Sequence, residues 1–245
     1  MPGPLTAELM SRAIIAPGIA QLAFAMRAPA RLDFKAGQFV SIGVTAPPEE
    51  TGTDEVVPRR SYSIASQSDA GDVLRFIIRV IPEGKASDYL MGLAIGESVQ
   101  MTGPHGFFVL DAEHPGDVVF GATGTGIAAV MPMLGELARR TAGRGRRRTV
   151  LWGVRQESDL FARAEIEALA ARSGATLEIF LTAPEAAWTG SRGRITPALL
   201  DRLPTLASPT FYLVGNGAMI TEVKRELIAR GVNRKTQIRT EAFFD

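Results

Sequence analysis

Hydrophobic and polar positions change texture part-way along the chain. Up to about residue 112, apolar residues come in short runs rich in branched and aromatic side chains, clearest at 38–44 and 73–81, with glycine and proline between them. Such runs fit strands, and their spacing predicts an antiparallel barrel. The stretch 46–57 holds Pro47-Pro48, acidic residues and Gly52, and reads as a solvated excursion. After His114-Pro115-Gly116, apolar strands alternate with helical patterns. Strands are predicted at 118–120, 149–154, 176–181 and 211–214, with 237–240 closing the sheet. Helices are predicted from Ile127 onward with Pro132 near the first turns, from Ser158 as N-cap to Gly174, from Thr196-Pro197 as cap and first residue, and from Gly215-Asn216-Gly217 to about Arg230. This alternation implies a doubly wound parallel sheet. Two domains are therefore expected, 1–112 (β-barrel) and 113–245 (α/β).

Composition narrows the chemistry. With 245 residues and 46% hydrophobic content, the chain can bury a large core. A formal net charge of +1 gives no global pull toward nucleic acid. No apolar run reaches the length of a membrane span, and Met1-Pro2-Gly3-Pro4 does not open a secretory signal, so a cytoplasmic protein is expected. There are no cysteines and only two histidines, His105 and His114, so no metal site is expected, and neither disulfides nor cysteine-ligated iron–sulfur clusters. Redox chemistry here requires a bound organic cofactor.

Several motifs offer such a cofactor a place. Arg60-Ser61-Tyr62-Ser63 follows the strand-like run 37–42. An arginine, an aromatic ring and a hydroxyl, expected on one strand face, suit one flat phosphorylated ligand: guanidinium to pyrophosphate, ring to heterocycle, hydroxyl to a ring nitrogen or carbonyl. Gly84-Lys85-Ala86-Ser87 runs from a strand into a helix, where free backbone N–H groups and a hydroxyl favour a phosphate. Gly103-Pro104-His105-Gly106 reads as a turn ending the barrel. Thr123-Gly124-Thr125-Gly126 joins a strand to a helix, where glycines let a pyrophosphate approach the backbone.

In order and spacing these motifs resemble the ferredoxin–NADP reductase family, over roughly residues 10 to 244. The resemblance implies a flavin-binding barrel followed by a nicotinamide-nucleotide domain. It implies FAD as cofactor, with Arg60 on the pyrophosphate, Tyr62 stacked on the isoalloxazine and Ser63 near flavin N5. Gly84, Lys85, Ala86 and Ser87 would hold the diphosphate, although paired glycines are commoner there. Thr123, Gly124, Thr125, Gly126, Gly215 and Asn216 would line the nicotinamide nucleotide, with Val214 where the family frequently has cysteine. Near the C-terminus, Phe243 or Phe244 would cover the flavin, and Glu241 would provide a carboxylate beside Ser63 for proton movement. Ser63 and Glu241 are thus the expected catalytic pair.

The resemblance leaves NADP(H) and NAD(H) both open. Thr182-Ala183-Pro184 lacks the arginine with which NADP-preferring relatives clamp the 2′-phosphate, while Arg192 and Arg194 can supply a guanidinium and tilt the reading toward NADPH. Arg155 lies where it can reach the ribose or phosphate. The implied reaction moves electrons from NAD(P)H through flavin to a ferredoxin or flavodoxin. The alternatives are an oxygenase-type reductase component using NADH, and a non-catalytic flavin- or nucleotide-binding regulatory module. Arg139, Arg140, Arg144 and Arg146 to Arg148 fall at the sheet edge away from the crevice and read as a solvated face.

Overall fold

The computed structural model describes residues 4–44, 59–140 and 145–243. The solvated excursion predicted at 46–57, and Arg144 and Phe244, lie outside the described residues.

The first half forms a six-stranded sheet of β1 (Leu5–Ala16), β2 (Ile19–Ala28), β3 (Phe39–Gly43), β4 (Arg59–Ser63), β5 (Val73–Arg79) and β6 (Ser98–His105), with helix α1 (Lys85–Gly92) between β5 and β6. The order is β4-β3-β6-β1-β2-β5, and every neighbouring pair is antiparallel. Period-two alternation turns Leu5, Ala7 and Leu9 of β1 inward, where they join Leu22, Phe24, Leu74 and Phe76 in one core. The sheet then curls on itself: just beyond β4, Ala65 donates its N–H to the carbonyl of Arg75 in β5 at 2.8 Å. The amino end of β4 therefore runs beside the carboxyl end of β5, from which α1 departs.

The second half is a parallel sheet flanked by helices. Its elements are β7 (Val118–Thr123), α2 (Ile127–Arg139), β8 (Arg148–Val154), α3 (Arg163–Ser173), β9 (Ala175–Leu181), β10 (Ser191–Arg192), α4 (Ile195–Arg202), β11 (Thr210–Asn216), α5 (Gly217–Ala229) and β12 (Ile238–Phe243). The order is β10-β9-β8-β7-β11-β12. Winding runs outward from β7 in one direction and from β11 in the other, so the topological switch lies between those two strands. Helix α2 is buried almost all round, because one side packs on the sheet and the other meets Ala36, Ala65 and Phe108 of the first half. One apolar core thus runs across the junction of the two halves.

Local details depart from the sequence reading. Pro132 is not among them: it lies inside α2 near its first turns, as expected. Ser158 caps nothing; it belongs to a 3₁₀ turn, Glu157–Asp159, closed by a reciprocal bond between the Gln156 and Asp159 ends. Helix α3 starts later, after Ala162, whose φ of 45° redirects the chain, and ends at Gly174 as predicted. Thr196-Pro197 sits within the first turn of α4, one residue after Ile195 opens it, and Thr196 is buried. Strand β10, only two residues long, carries too little pattern to have been read.

Candidate functional site

Among the described residues β4 forms a ladder with β3 alone, while the chain just past its end bonds to β5. Arg60 lies opposite Ile42 and Tyr62 opposite Val40, which puts arginine and ring on one face. Ser63, expected on that same face, points the other way. Sequence spacing showed why: adjacent strand residues alternate sides. Arg60 is exposed, and among the described residues its Nη1 bonds the neighbouring Arg59 carbonyl, at 3.1 Å. Tyr62 is half-buried and rests edge-on against Phe76 at 6.5 Å. Burial pushes the Tyr62 hydroxyl up to about 12, partly opposed by the Arg60 charge, so it is a hydrogen-bond donor at any ordinary pH.

Ser63 meets Glu241 across the junction. Its Oγ donates to Glu241 Oε1 at 2.7 Å, joining β4 to β12, the last strand of the parallel sheet. Burial raises the Glu241 carboxyl above the usual carboxylate range, and the Ser63 bond only partly offsets this. Gly106 makes room here: with φ at 100°, it lies where a Cβ would come within 3.0 Å of the Phe39 ring and 3.7 Å from Glu241 Oε2. Phe39, Gly106, Phe108, Ile238 and Glu241 wall an open cleft of about 490 Å³. His105, which ends β6, bonds Thr102 Oγ1 at 3.2 Å and tilts against Phe39.

Helix α1 starts at Lys85, with Gly84 as its N-cap, a short turn after β5. The N–H groups of Lys85 and Ala86 are among those a helix leaves unpaired in its first turn, and Lys85 is exposed. Ser87 departs from expectation. It is buried, and its Oγ accepts the Ile81 N–H at 2.9 Å, so its hydroxyl serves the turn rather than facing outward.

At the carboxyl ends of β7 and β11, the two glycine turns are stitched together. Asn216 donates its N–H to Thr123 Oγ1 at 2.8 Å, and Asn216 Oδ1 caps α5 through the Met219 N–H at 3.1 Å. Gly215 has φ at 114°, and a Cβ there would fall 2.4 Å from Thr123 Oγ1. Gly124, Thr125 and Gly126 form a 3₁₀ turn leading into α2, and Trp152 Nε1 donates to the Gly124 carbonyl at 3.0 Å. Arg155 is exposed just past β8. Arg192 is not free as expected. Its Nη2 donates to the carbonyls of Glu185, Ala186 and Trp188 at 3.1, 3.1 and 2.9 Å, gathering the loop after β9. Arg194 stays outward, with Glu222 at 3.5 Å. Phe243 ends β12 opposite Asn216 and packs on the shared core.

Sequence reasoning missed a second tie between the halves. Arg75 of β5 grips Glu165 of α3 with two bonds, at 2.9 and 2.6 Å, and also reaches the Ala65 carbonyl at 3.3 Å. No local signal marks a pair so far apart in the chain. The basic residues between α2 and β8 are engaged structurally: Arg139 and Arg140 in ion pairs, Arg147 with Asp117 at 3.4 Å, and Arg146 on the His114 carbonyl.

The donor set fits a flavin dinucleotide. It offers a guanidinium with no carboxylate partner among the described residues, a half-exposed tyrosine on the same face, and the N-terminus of α1 a short turn after β5. Comparison with known proteins agrees. Residues 6–110 match the oxidoreductase FAD-binding domain family, and residues 120–225 match the oxidoreductase NAD-binding domain family. Ferredoxin–NADP reductase B of Sorangium cellulosum is 31% identical over 235 residues, 93% of this chain and 92% of that protein. The chain belongs to the ferredoxin–NADP reductase family. The ferredoxin–NAD(P)+ reductase component of a Ralstonia naphthalene 1,2-dioxygenase/salicylate 5-hydroxylase system is also similar, 33% identical over 217 residues, 87% of this chain and 61% of that protein. Among solved structures, the Amycolatopsis cytochrome P450 reductase GcoB superposes with a TM-score of 0.83 at 27% identity, over 98% of this chain and 70% of that one. A Neisseria gonorrhoeae ferredoxin–NADP+ reductase with bound FAD and NADP shares the fold along its full length, with a TM-score of 0.81 at 21% identity.

Proposed function

We propose that the chain is an FAD-dependent reductase that takes electrons from NAD(P)H and passes them to a ferredoxin-type protein. The Ser63–Glu241 contact carries this reading, because it joins β4, which bears Arg60 and Tyr62, to the last strand of the nucleotide sheet. When bound, the flavin accepts a hydride equivalent from the nicotinamide and releases electrons singly to the acceptor.

The protein's own groups act around that chemistry. Arg60 neutralises the diphosphate, with the first-turn N–H groups of Lys85 and Ala86. Gly84 lets the chain turn into α1, and Ser87 holds that turn through Ile81. Tyr62 orients the ring system from the β4 face. Ser63 fixes Glu241 Oε1, and the carboxyl, raised by burial, holds a proton at the junction over a wider pH range than an exposed glutamate. Thr123, Gly124, Thr125 and Gly126, together with Gly215 and Asn216, receive the nicotinamide nucleotide at the switch point, with Arg155 at its margin. Phe243, seated on the core at the end of β12, bounds this space. A division near residue 112 suits the two matched segments, and a cytoplasmic pool of reduced nicotinamide suits the donor. No helix among the described residues is long and apolar enough to cross a membrane.

One observation favours a second reading of the donor. Arg192 is engaged with three carbonyls, and Ala183 stands after Thr182 where an arginine would clamp a 2′-phosphate, which favours NADH, the donor of the oxygenase-type alternative. Anaerobic titration with NADH and NADPH in parallel, following loss of flavin colour, tests both. Bleaching by either donor is the expected result and their ratio ranks them. Protein that takes up no FAD, or FAD that neither donor bleaches, refutes the reductase.

A further inference from the structure

The turn that opens α2 is tied down from two neighbouring strands. From β11, the Asn216 N–H reaches Thr123 Oγ1 at 2.8 Å. A Cβ on Gly126 would fall 2.8 Å from the Val214 carbonyl, so the end of the turn lies directly on that strand. From β8, Trp152 Nε1 donates to the Gly124 carbonyl at 3.0 Å. Gly124 itself is open on its outer side: its φ is 54°, and a Cβ there would meet nothing within 4 Å. Tethers from the sheet, rather than packing from outside, therefore set how this peptide lies.

Trp152 is suited to hold it. The side chain is fully buried in the core around α2, and its ring stands edge-on to Phe161 at 5.3 Å and 74°. Close packing on all sides leaves the indole no freedom to turn. Its bond has a consequence one atom further on. The Gly124–Thr125 peptide is trans, and in a trans peptide the C=O and N–H point in opposite directions. Drawing the Gly124 carbonyl toward the buried indole aims the Thr125 N–H away from the core. That N–H is among those a helix start leaves unpaired. A buried indole needs some acceptor. A phenyl ring, however, would fill the same place with no donor to satisfy, whereas this donor is spent on the one carbonyl whose peptide faces the crevice.

We propose that Trp152 is a positioning residue for the electron donor: by fixing the Gly124 carbonyl it presets the Thr125 N–H for the pyrophosphate of the nicotinamide nucleotide. The inference rests on the reductase reading and adds to it a residue that never touches the nucleotide. Without the indole bond, a peptide that begins at glycine and has open space beside it samples other orientations, and binding must bear the cost of ordering it. The effect therefore falls on donors that carry a pyrophosphate, and on their capture rather than on the step that follows.

The test uses the FAD-loaded protein, ferricyanide as acceptor, and NADH, NADPH and N-benzyl-dihydronicotinamide as donors; the last carries the reacting ring and no phosphate. Trp152→Phe keeps an aromatic ring and removes the N–H. It is expected to raise KM for NADH and NADPH alike by about tenfold, with kcat and the rate with the benzyl compound each within about twofold. The inhibition constant of ADP-ribose, which has the pyrophosphate but no nicotinamide, should rise by the same factor. An unchanged KM for NADH overturns the proposal, as does an equal loss with the benzyl compound, which marks a merely loosened core. A second measurement needs no change at Trp152. In wild-type protein carrying isotope-labelled tryptophan, the Trp152 indole N–H resonance, told from that of Trp188 by a Trp188→Phe variant, should shift when ADP-ribose binds. A resonance that stays in place overturns the proposal. Wild-type protein that reduces ferricyanide with no donor refutes the reductase reading as well, whereas an active wild type with an unaffected Trp152→Phe overturns the positioning role alone.

Discussion

Glu241 and Glu165 both cross from the α/β half to the barrel, one from β12 and the other from α3. Glu165 meets an arginine with two short bonds, and its side chain keeps 41% of its exposure. Glu241 meets a serine hydroxyl with one bond, lacks a cation partner among the described residues, and is buried enough to raise its carboxyl. A carboxylate whose only task was to hold two halves together would be better served by the first arrangement, since charge and geometry are both satisfied. Burying an acid against a hydroxyl costs stability whenever the acid ionises. That cost is the observation that supports the proton role proposed for Glu241.

The largest effect expected from this contrast is on rate. Glu241→Gln keeps the shape and an acceptor for Ser63 but cannot release a proton. NAD(P)H-driven flavin reduction or reoxidation should slow by about 100-fold, at the low end for a general acid–base group. Glu165→Gln should change the same rate by no more than about threefold. Stopped-flow absorbance of the flavin reads both. Equal losses in the two variants would erase the distinction.

A double-mutant cycle on Arg75 and Glu165 comes next. Partial exposure discounts the pair, so a coupling of about 1 kcal/mol is expected, and it should weaken with added salt. Urea unfolding of the wild type, Arg75→Ala, Glu165→Ala and the double variant measures it. A coupling near zero would leave the shared apolar core around α2 as the principal link between the halves.

Stability should also separate the two glutamates by pH. The Glu241 carboxyl is raised in the folded protein, so the native state binds more protons than the unfolded chain just above the ordinary carboxylate range. Its contribution is complete below that range and is lost as pH rises through the raised value. Relative to Glu241→Gln, the wild type should therefore lose stability as pH rises from acidic to mildly alkaline solution. Chemical denaturation across that range checks the sign, and a gain with rising pH contradicts it.

Much of this frame was legible in the sequence. Arg60 to Ser63, the glycine turns at Gly124 and Gly215, and the alternation of strands and helices are local signals that neighbouring residues suffice to write. Side-chain direction was less so. Ser63 was grouped with Arg60 and Tyr62, although strand alternation sends it to the opposite side, where Glu241 waits. Ser87 looked like a phosphate ligand because a hydroxyl at a helix start can point either way, and only the fold puts Ile81 N–H within its reach. The Arg75–Glu165 grip depends wholly on how the halves meet. Trp152 reads as one more apolar residue of its strand until the fold puts the Gly124 carbonyl beside its indole.

Arg192 and Arg194 repeat the contrast among cations, with the smallest expected effect. Arg192 behaves like Arg75, since its guanidinium is engaged within the protein, where it gathers the carbonyls of Glu185, Ala186 and Trp188. Among the described residues Arg194 is approached by Glu222 at 3.5 Å and otherwise faces outward, where it can meet an anion. Arg192→Ala should loosen the loop after β9 and raise KM for NADH and NADPH together, by about two- to threefold, with their ratio preserved. Arg194→Ala should raise KM for NADPH alone, by about fivefold, because only that donor carries the 2′-phosphate a guanidinium can hold. Steady-state kinetics with ferricyanide decide this without involving the protein acceptor. A changed ratio in Arg192→Ala would mean that the guanidinium exchanges its carbonyls for the phosphate when the nucleotide arrives. An unchanged ratio in both would make the crevice indifferent to that phosphate and support NADH as the working donor.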